Sequence, residues 1–458
     1  MIRSEEPDVW WEAVYRDAPI TTQWDDGAYT GTGKGKSPTS SNSMPTMVFS
    51  MLDALGIEDG STVLEIGTGT GWNAALLSHR LGAENVVSVE VDESSAEDAR
   101  TRLNLAGLRP LVHVGDGAQG YPERAPYDRL IATCSIGSVP LAWRAQVKPG
   151  GVIVTPWGPA YGGEAVVRLT VAEDGSASGP FVGSSAFMRM RAQRVQRRHV
   201  REYLGGRKWP ADGVKSMTSL SPDDLGDWHV MFVIGVQVPD AFPWMESYDD
   251  GSYTLWLRDT AVTSWATADY VPGRDEFEVY QSGPRNLWDE VLVAYRWWDK
   301  QGRPGFERFG LTVDGDGERV WLDSPEHSFL SVNRRPPLVP AGVLPSADRG
   351  LSAAQADVIR CASRRVYGSS YLPQTPSGGA PKVPPTGWIR GSGGLPPTRR
   401  SRTSDAAGKG RGGEPAAGAD RTVSPRHNGP STRIATAFTR VYSSSAANPF
   451  SRPKPDWR

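Results

Sequence analysis

Val63-Leu64-Glu65-Ile66-Gly67-Thr68-Gly69-Thr70-Gly71 is the stretch of this 458-residue chain with the clearest chemical content. A short apolar strand runs into a turn with glycine at every second position, and the turn runs into a helix. Glycine lets such a turn tighten and lets backbone N–H groups approach a ligand closely. The spacing G-x-G-x-G is not the G-x-G-x-x-G that serves a dinucleotide pyrophosphate, and no phosphate-loop lysine follows. Glu90 ends the next strand, 19 residues after Gly71, where a carboxylate can accept hydrogen bonds from both hydroxyls of a ribose. Asp116, in Gly115-Asp116-Gly117 after a third strand, can accept from an adenine amino group. Lys148-Pro149-Gly150-Gly151 turns into a further strand, and each of these pieces read singly could be a plain strand end or turn.

Other polar candidates are weaker. Ser43 precedes Pro45, so it reads either as a helix N-cap or as a hydroxyl offered to a ligand. His79 falls on the helix after the glycine turn and reads as a surface or packing residue. Cys134 has no activating His or Lys beside it and reads as buried and inert. The basic run FMRMRAQRVQRRHV (187–200) could grip an acidic peptide or form a solvated connection. Two cysteines, Cys134 and Cys361, exclude a disulfide framework and a Cys-based zinc site, and six scattered histidines give no metal-ligand spacing. No metal is expected.

The elements that must position these residues alternate. A helix at 45–55 with Gly56 as its C-cap precedes strand 62–66, helix 71–81, strand 86–90, helix 94–106 and strand 111–114. Strand 128–133, a helix near 139–147 and strand 152–156 follow. Strands alternating with helices of this length predict a parallel, doubly wound α/β sheet. Beyond residue 160 the pattern changes to segments read as strands joined by Gly/Asp turns: AVVRLTVAEDG, HVMFVIGVQVP, YTLWLRD, EFEVYQSG and FGLTVDGDGERVWLD. One helix is expected at 283–300, and the tryptophans of this half suit packing rather than a stacking surface.

Composition sets the outer limits. Hydrophobic residues make up 38% and charged residues 22% of the chain, with a mean hydropathy of −0.43. No run approaches the roughly 18 apolar residues of a spanning helix, and MIRSEEPDVWWEAVYRD lacks the cationic start and apolar stretch of a secretion signal. A cytoplasmic protein without a membrane partner is expected. The net charge of −2 hides an asymmetry, because residues 367–458 hold 14 Lys/Arg against 4 Asp/Glu. The same tail has 13 Pro and 13 Gly, too little apolar content to offset the entropy of ordering, so it is expected to be disordered. A nucleic-acid partner is not expected from charge alone. The domain layout that follows is an aromatic segment and loop at 1–40, a catalytic domain at 41–199 and a strand-rich domain at 200–345. A linker or short helix at 346–366 and the basic tail at 367–458 complete it.

The ordered set of Gly67–Gly71 turn, Glu90, Asp116-Gly117 and KPGG resembles the class I methyltransferases that bind S-adenosylmethionine, with a Rossmann-like sheet. The resemblance sharpens at Asn42-Ser43-Met44-Pro45-Thr46-Met47-Val48, VLEIGTGTGWNAALL, VGDG, APYDRLIATCSIGSVP and VKPGGVIVTPWG. Over about residues 40–160 these look like protein-L-isoaspartate O-methyltransferases. That likeness implies S-adenosylmethionine held by Glu65, Gly67, Thr68, Gly69, Gly71, Glu90, Asp116 and Gly117, with Ser43 beside the acceptor carboxylate. At TCSIGSVP the family usually carries small residues such as alanine, and this sequence departs from it. The aromatic N-terminal stretch and the strand motifs DDLGDWHVMFVIGVQVP and ERFGLTVDGDGERVWLDSPEH are similar to extended homologues that accompany ATP-grasp ligases in peptide maturation, the graspetide methyltransferases. Such enzymes methylate an aspartate of a ribosomal peptide, and the ester collapses to an aspartimide. The implied partners are an aspartyl or isoaspartyl peptide and an ATP-grasp ligase of the same pathway. Repair of isoaspartyl protein and a non-catalytic binding protein of this fold stand as alternatives.

Overall fold

Glu65 opposes Ser88 in a parallel strand pair whose neighbouring side chains are all apolar, and this pair belongs to the parallel part of the sheet that organises the molecule. The computed structural model describes residues 5–332 apart from 32, 222, 223, 249 and 250. The expected linker at 346–366 and basic tail at 367–458, with the end of the 200–345 region, lie outside the described residues.

The chain begins with helix α1 (Pro7–Tyr15) and a hairpin of β1 (Ile20–Trp24) and β2 (Pro38–Asn42). Helix α2 (Pro45–Leu55) ends at Gly56 in the left-handed conformation, φ 60°. The alternating units then follow: β3 (Val63–Ile66), α3 (Trp72–Leu81), β4 (Val86–Glu90), α4 (Glu93–Leu105), β5 (Leu111–Val114), β6 (Tyr127–Ala132), α5 (Leu141–Gln146) and β7 (Val147–Trp157). Strands β7-β6-β3-β4-β5 are parallel neighbours in that order, so the strand order reverses between β3 and β6. A crevice at the carboxyl ends of the strands is expected at such a reversal. The α/β fold expected from the sequence is present. The core is laid down by alternation: Val63 faces Met51, Leu55, Leu77 and Leu81, whereas Leu64 and Ile66 face the opposite layer.

Two expectations change. The segment HVMFVIGVQVP is not a strand. After β8 (Glu164–Val171), β9 (Ala177–Ser185), the one-turn α6 (Val200–Tyr203) and β10 (Val214–Thr218), it forms helix α7 (Trp228–Gln237). Its residues are apolar on every side because every side is buried, from Val230 to Val236, and such a run carries no periodicity to tell helix from strand. Asp227 caps it, accepting from the His229 and Val230 N–H groups at 2.9 and 3.3 Å. A Cβ on Gly163 would lie 2.1 Å from the Phe232 nitrogen, so the chain before β8 touches the helix backbone to backbone.

The second change concerns the boundary at 199/200. Strands β11 (Ala241–Ser247), β12 (Tyr253–Asp259), β13 (Trp265–Tyr270) and β14 (Phe277–Ser282) form an antiparallel sheet with β10, in the order β10-β14-β13-β12-β11. Helix α8 (Leu287–Lys300) packs on it and on α7. The chain then returns to the first sheet. Strands β15 (Phe309–Asp314), β16 (Gly317–Leu322) and β17 (Ser328–Val332) extend it to ten strands through β15 beside β9. The second sheet is therefore an insertion, and the last strands belong with the first domain. The physical reason is the edge of β9, whose ladder groups need a partner and find it at Gly310–Val313.

Glu318 of β16 seals this junction. It is 7% exposed, its Oε1 accepts from the Val139 N–H and its Oε2 accepts from the Trp157 indole at 3.0 Å. Glu318→Ala should lower unfolding free energy by about 2–4 kcal/mol, since two buried donors lose their acceptor at about 1–3 kcal/mol each. Denaturant titration reads this directly. A loss within the about 0.5 kcal/mol of an ordinary surface change would mean that β16 does not dock on the first sheet.

Candidate functional site

The three glycines of the turn after β3 all have positive φ: 97° at Gly67, 53° at Gly69 and 83° at Gly71. That sequence of left-handed residues is what only glycine adopts without steric cost. It turns the Gly69 N–H toward β4, where it donates to Glu90 Oε2 at 2.8 Å. The other Glu90 oxygen accepts from the Asp92 N–H at 3.1 Å. An amide of this turn that would meet a phosphate in a nucleotide-binding loop is thus committed to a carboxylate of the protein itself. A second layer lies behind. Glu65 is fully buried and accepts from Asn73 Nδ2 at 2.8 Å and from Ser88 Oγ at 2.6 Å. Thr68 Oγ1 lies 2.6 Å from Ser88 Oγ.

The cleft above this turn is lined by Ser43, Gly67, Thr68, Gly69, Glu90, Asp116 and Gly117 among the residues expected from sequence. Glu65 and Gly71 are not on its wall. Glu65 acts from behind, through Asn73 and Ser88. Gly71 provides close packing, since a Cβ there would meet Ala99 and Leu103 at 3.2 and 3.4 Å. Asp116 caps a short 3₁₀ turn through the Ala118 N–H at 3.0 Å. The KPGG stretch lies inside β7, where Gly150 makes an irregularity in the ladder, and it does not border the cleft. His79 is exposed.

Ser43 is not the helix cap that its place before Pro45 allows. Met44 occupies the cap position without a side-chain bond, and the Thr46 N–H is served instead by Asp17 Oδ1 at 2.9 Å. Among the described residues no hydrogen-bond partner holds the Ser43 hydroxyl, which borders the cleft half-buried. Its segment is fixed by Asn42, whose Oδ1 accepts from Thr70 Oγ1 at 2.9 Å. The glycine turn and the Ser43 segment are therefore tied together.

Sequence reasoning missed the roof. The run 187–200 crosses the cleft and is tied down by charge. Arg191 pairs with Asp26 at 3.0 Å and Asp92 at 3.1 Å, and Arg194 pairs with Asp26 at 2.7 Å. Asp26 sits in the β1–β2 loop, so the basic run holds the N-terminal hairpin rather than lying solvated. Hydrogen bonds from Ser94, the Ser95 amide and Arg191 keep the Asp92 carboxyl well below the usual carboxylate range, against the opposing effect of its partial burial. Gln193 Oε1 accepts from the Gly137 and Ser138 N–H groups at 2.7 and 3.1 Å, bracing the loop after β6. No single residue type signals such pairings, because they join segments up to 168 residues apart.

Cys134 borders the cleft, and burial pushes its thiol up to about 12, so it remains a thiol. Among the described residues no cluster of His, Cys, Asp and Glu could hold a metal ion. The wall instead offers acceptors: Glu90, Asp116 and the buried Asn73 Oδ1, which has no partner. These acceptors suit a nucleoside with free hydroxyls, and the same cleft is lined by Arg189, Arg191 and Arg194, of which the last two are paired with Asp26 and Asp92.

Three comparisons bear on this geometry. A sequence model of the family described as Protein-L-isoaspartate(D-aspartate) O-methyltransferase (PCMT) matches residues 4–193. A protein-L-isoaspartate O-methyltransferase of Azorhizobium caulinodans is 47% identical over 117 residues, 25% of this chain and 53% of that protein. One of Rhodospirillum rubrum is 37% identical over 166 residues, covering 36% and 75% respectively. The chain thus spans about half to three quarters of the length of these curated relatives. A solved structure of a protein-L-isoaspartate O-methyltransferase aligns over 69% of this chain and 89% of its own, at 21% identity and a TM-score of 0.39.

Glu65 gives the site a pH signature. Burial, the largest effect, raises its pKa from 4.5 to about 7; the Ser88 and Asn73 bonds oppose the rise, and the charge of Glu90 adds to it. The folded state therefore holds this proton more tightly than the unfolded chain. The stabilisation is complete below about pH 4 and is lost as pH rises to about 7, by up to about 3 kcal/mol. Glu65→Gln should flatten the stability curve between about pH 4.5 and 7. Denaturation midpoints at several pH values check this, and an unchanged slope would assign the titration elsewhere.

Proposed function

Because the chain belongs to the protein-L-isoaspartate(D-aspartate) O-methyltransferase family, we propose that it is an S-adenosylmethionine-dependent carboxyl O-methyltransferase acting on an aspartyl side chain. The observation that carries this reading is the Gly69 N–H closed onto Glu90 in a cleft that Ser43 also borders. The turn satisfies itself with an internal carboxylate, which leaves acceptor atoms for a cationic nucleoside.

When bound, S-adenosylmethionine supplies the methyl group: the acceptor oxygen forms the new C–O bond while the C–S bond breaks and its electron pair stays on sulfur. Every other demand falls on this chain. Glu90 would hold the ribose hydroxyls and Asp116 the adenine amino group. Backbone of Gly67 and Thr68 and the Asn73 amide oxygen would face the amino-acid end. A carboxylate with an ordinary pKa near 4 is ionised at neutral pH, so no general base is required. Orientation supplies most of the acceleration, and alignment of this kind can be worth about 7–11 kcal/mol. A neutral hydroxyl such as Ser43 can hold the acceptor without competing for its charge.

The finer reading is a peptide-maturation enzyme. Its acceptor would be an L-aspartate in a constrained ribosomal peptide that an ATP-grasp ligase has cross-linked. Attack of the following backbone nitrogen on the ester carbonyl forms the C–N bond, and the methoxy group leaves as methanol with the amide proton. The inserted sheet β10–β14 and strands β15–β17, all beyond the family match at 4–193, support this reading as the place where a larger peptide could be held. The relatives' names favour repair of isoaspartyl protein as the second reading. No helix among the described residues is long and apolar enough to cross a membrane.

Glu90→Ala should weaken S-adenosylmethionine at least about tenfold in calorimetry, since bonds to a charged acceptor contribute about 1.5–3 kcal/mol each. Unchanged affinity would reduce Glu90 to a turn-closing residue. Ser43→Ala should slow methylation by about tenfold or more, the worth of one hydrogen bond to a charged acceptor, with cofactor affinity preserved. The substrate is settled by mass spectrometry of a constrained precursor against a generic isoaspartyl peptide. Peptide maturation requires a transient gain of one methylene and then net loss of water in the precursor. Methylation of the isoaspartyl peptide alone would establish repair.

A further inference from the structure

Eight basic residues lie between Arg189 and Lys208, and the cleft with its roof accounts for only the first three. Arg189, Arg191 and Arg194 border the cleft, and the last two are committed to Asp26 and Asp92. The other five, Arg197, Arg198, Arg201, Arg207 and Lys208, share the stretch 195–208 with one acidic residue, Glu202. All five are exposed. Arg198 approaches Glu202 to 3.9 Å and Arg207 pairs with Asp212 at 3.0 Å. Arg197, Arg201 and Lys208 form no ion pair among the described residues.

The backbone under these cations is fastened to the inserted sheet. Arg258 of β12 donates from Nη1 to the Arg198 carbonyl at 2.9 Å, and the Tyr203 hydroxyl of α6 donates to the Asp259 carbonyl at 2.6 Å. Tyr203 and Leu204 are buried against Trp256 and Trp265, and the Arg197 guanidinium lies over the Phe242 ring of β11 at 5.6 Å. Arg258 itself is buried and lies over the rings of Phe242, Tyr203 and Trp244 at 5.2, 5.7 and 5.8 Å. No carboxylate pairs with it among the described residues, and a guanidinium keeps its charge. It touches no ligand from there, yet its field adds to the surface above. Such a concentration of one sign repels itself and attracts an anionic partner.

Resting on the carboxyl-transfer reading above, we propose that Arg197, Arg201 and Lys208 dock an acidic segment of the substrate peptide that flanks the methylated aspartate. Clusters of this kind recognise acidic motifs by charge and by the fork of the guanidinium. The strip is continuous with the cleft: Ala192 and Arg194 are still on the cleft wall, and Arg197 follows within about 10 Å of extended chain. That continuity favours a peptide over a nucleic acid, because the occupant must also present a carboxylate to the cleft. The strip governs which peptide binds and how tightly, and the methyl-transfer step stays with the cleft.

The test measures peptide binding to the full chain with S-adenosylhomocysteine bound, and methylation with S-adenosylmethionine alongside. The probes are an isoaspartyl peptide and a constrained L-aspartyl peptide. Each carries a run of glutamates a few residues before or after the reacting aspartate, or glutamines at the same places. The glutamate form of whichever peptide is methylated should bind about fivefold or more tighter, because exposed pairs are weak singly and three act together. The gap should close at about 1 M salt, where the screening length is about 3 Å. Combining Arg197→Gln, Arg201→Gln and Lys208→Gln should bring the ratio within about twofold, with S-adenosylhomocysteine affinity and turnover of the glutamine form unchanged. Combining Arg197→Glu, Arg201→Glu and Lys208→Glu should instead favour a peptide with lysines at those places, a gain that misfolding cannot imitate. Equal binding of glutamate and glutamine forms to the unaltered protein overturns the proposal, as does a preference that survives the three glutamine substitutions. A single-stranded oligonucleotide that binds the strip more tightly than the glutamate peptide makes nucleic acid its occupant and also overturns it. Methylation of none of the peptides overturns the carboxyl-transfer reading itself.

Discussion

The hydrogen bond from the Gly69 amide to the Glu90 carboxylate is the constraint on which the rest of the site depends. It forms only if the turn after β3 passes through left-handed backbone, which the three glycines allow. It also needs β4 to end beside β3, as the parallel register places it. Two carboxylates are thereby brought together in a poorly solvated place, Glu90 at the cleft and Glu65 behind it. Like charges at close range disfavour double ionisation, and the protein answers with donors: Gly69 and Asp92 amides for Glu90, Asn73 and Ser88 for Glu65. A cationic ligand would relieve the same repulsion, so its binding and the ionisation of Glu65 are coupled.

From that turn the construction spreads outward through short polar links. Thr70 fastens Asn42 and so places Ser43. Asp92, at the N-terminus of α4, reaches Arg191 of the roof. Arg191 and Arg194 in turn hold Asp26 of the hairpin. The pairs are partly exposed, so each contributes modest stability.

The loop after β6 is where the two parts of the chain meet. It is braced by Gln193 from the roof and by Glu318 from β16, whose strand follows the whole inserted sheet. Residues far apart in sequence therefore fix the chain that follows the cleft residues Thr133 and Cys134. Helix α7 fills the space between, packing against the glycine-rich chain at 158–163 so closely that no side chain fits at Gly163.

The sequence by itself determined the alternating strands and helices of the first sheet, the glycine turn, and the carboxylates Glu90 and Asp116. Those features are local: glycine spacing, strand length and apolar periodicity act over a few residues and leave their mark in order along the chain. It misread α7 because burial on all sides erases periodicity. It also drew a domain boundary through a single sheet, because strand pairing across an insertion leaves no local trace in β9 or β15. Glu65 looked like a ligand by its place in the motif, yet the register beside Ser88 turns it away from the cleft. That Ser43 does not cap the helix follows from Asp17, which takes over the Thr46 amide from 29 residues away. Tertiary structure alone set these outcomes, because each depends on which distant group arrives to satisfy a donor, an edge or a charge.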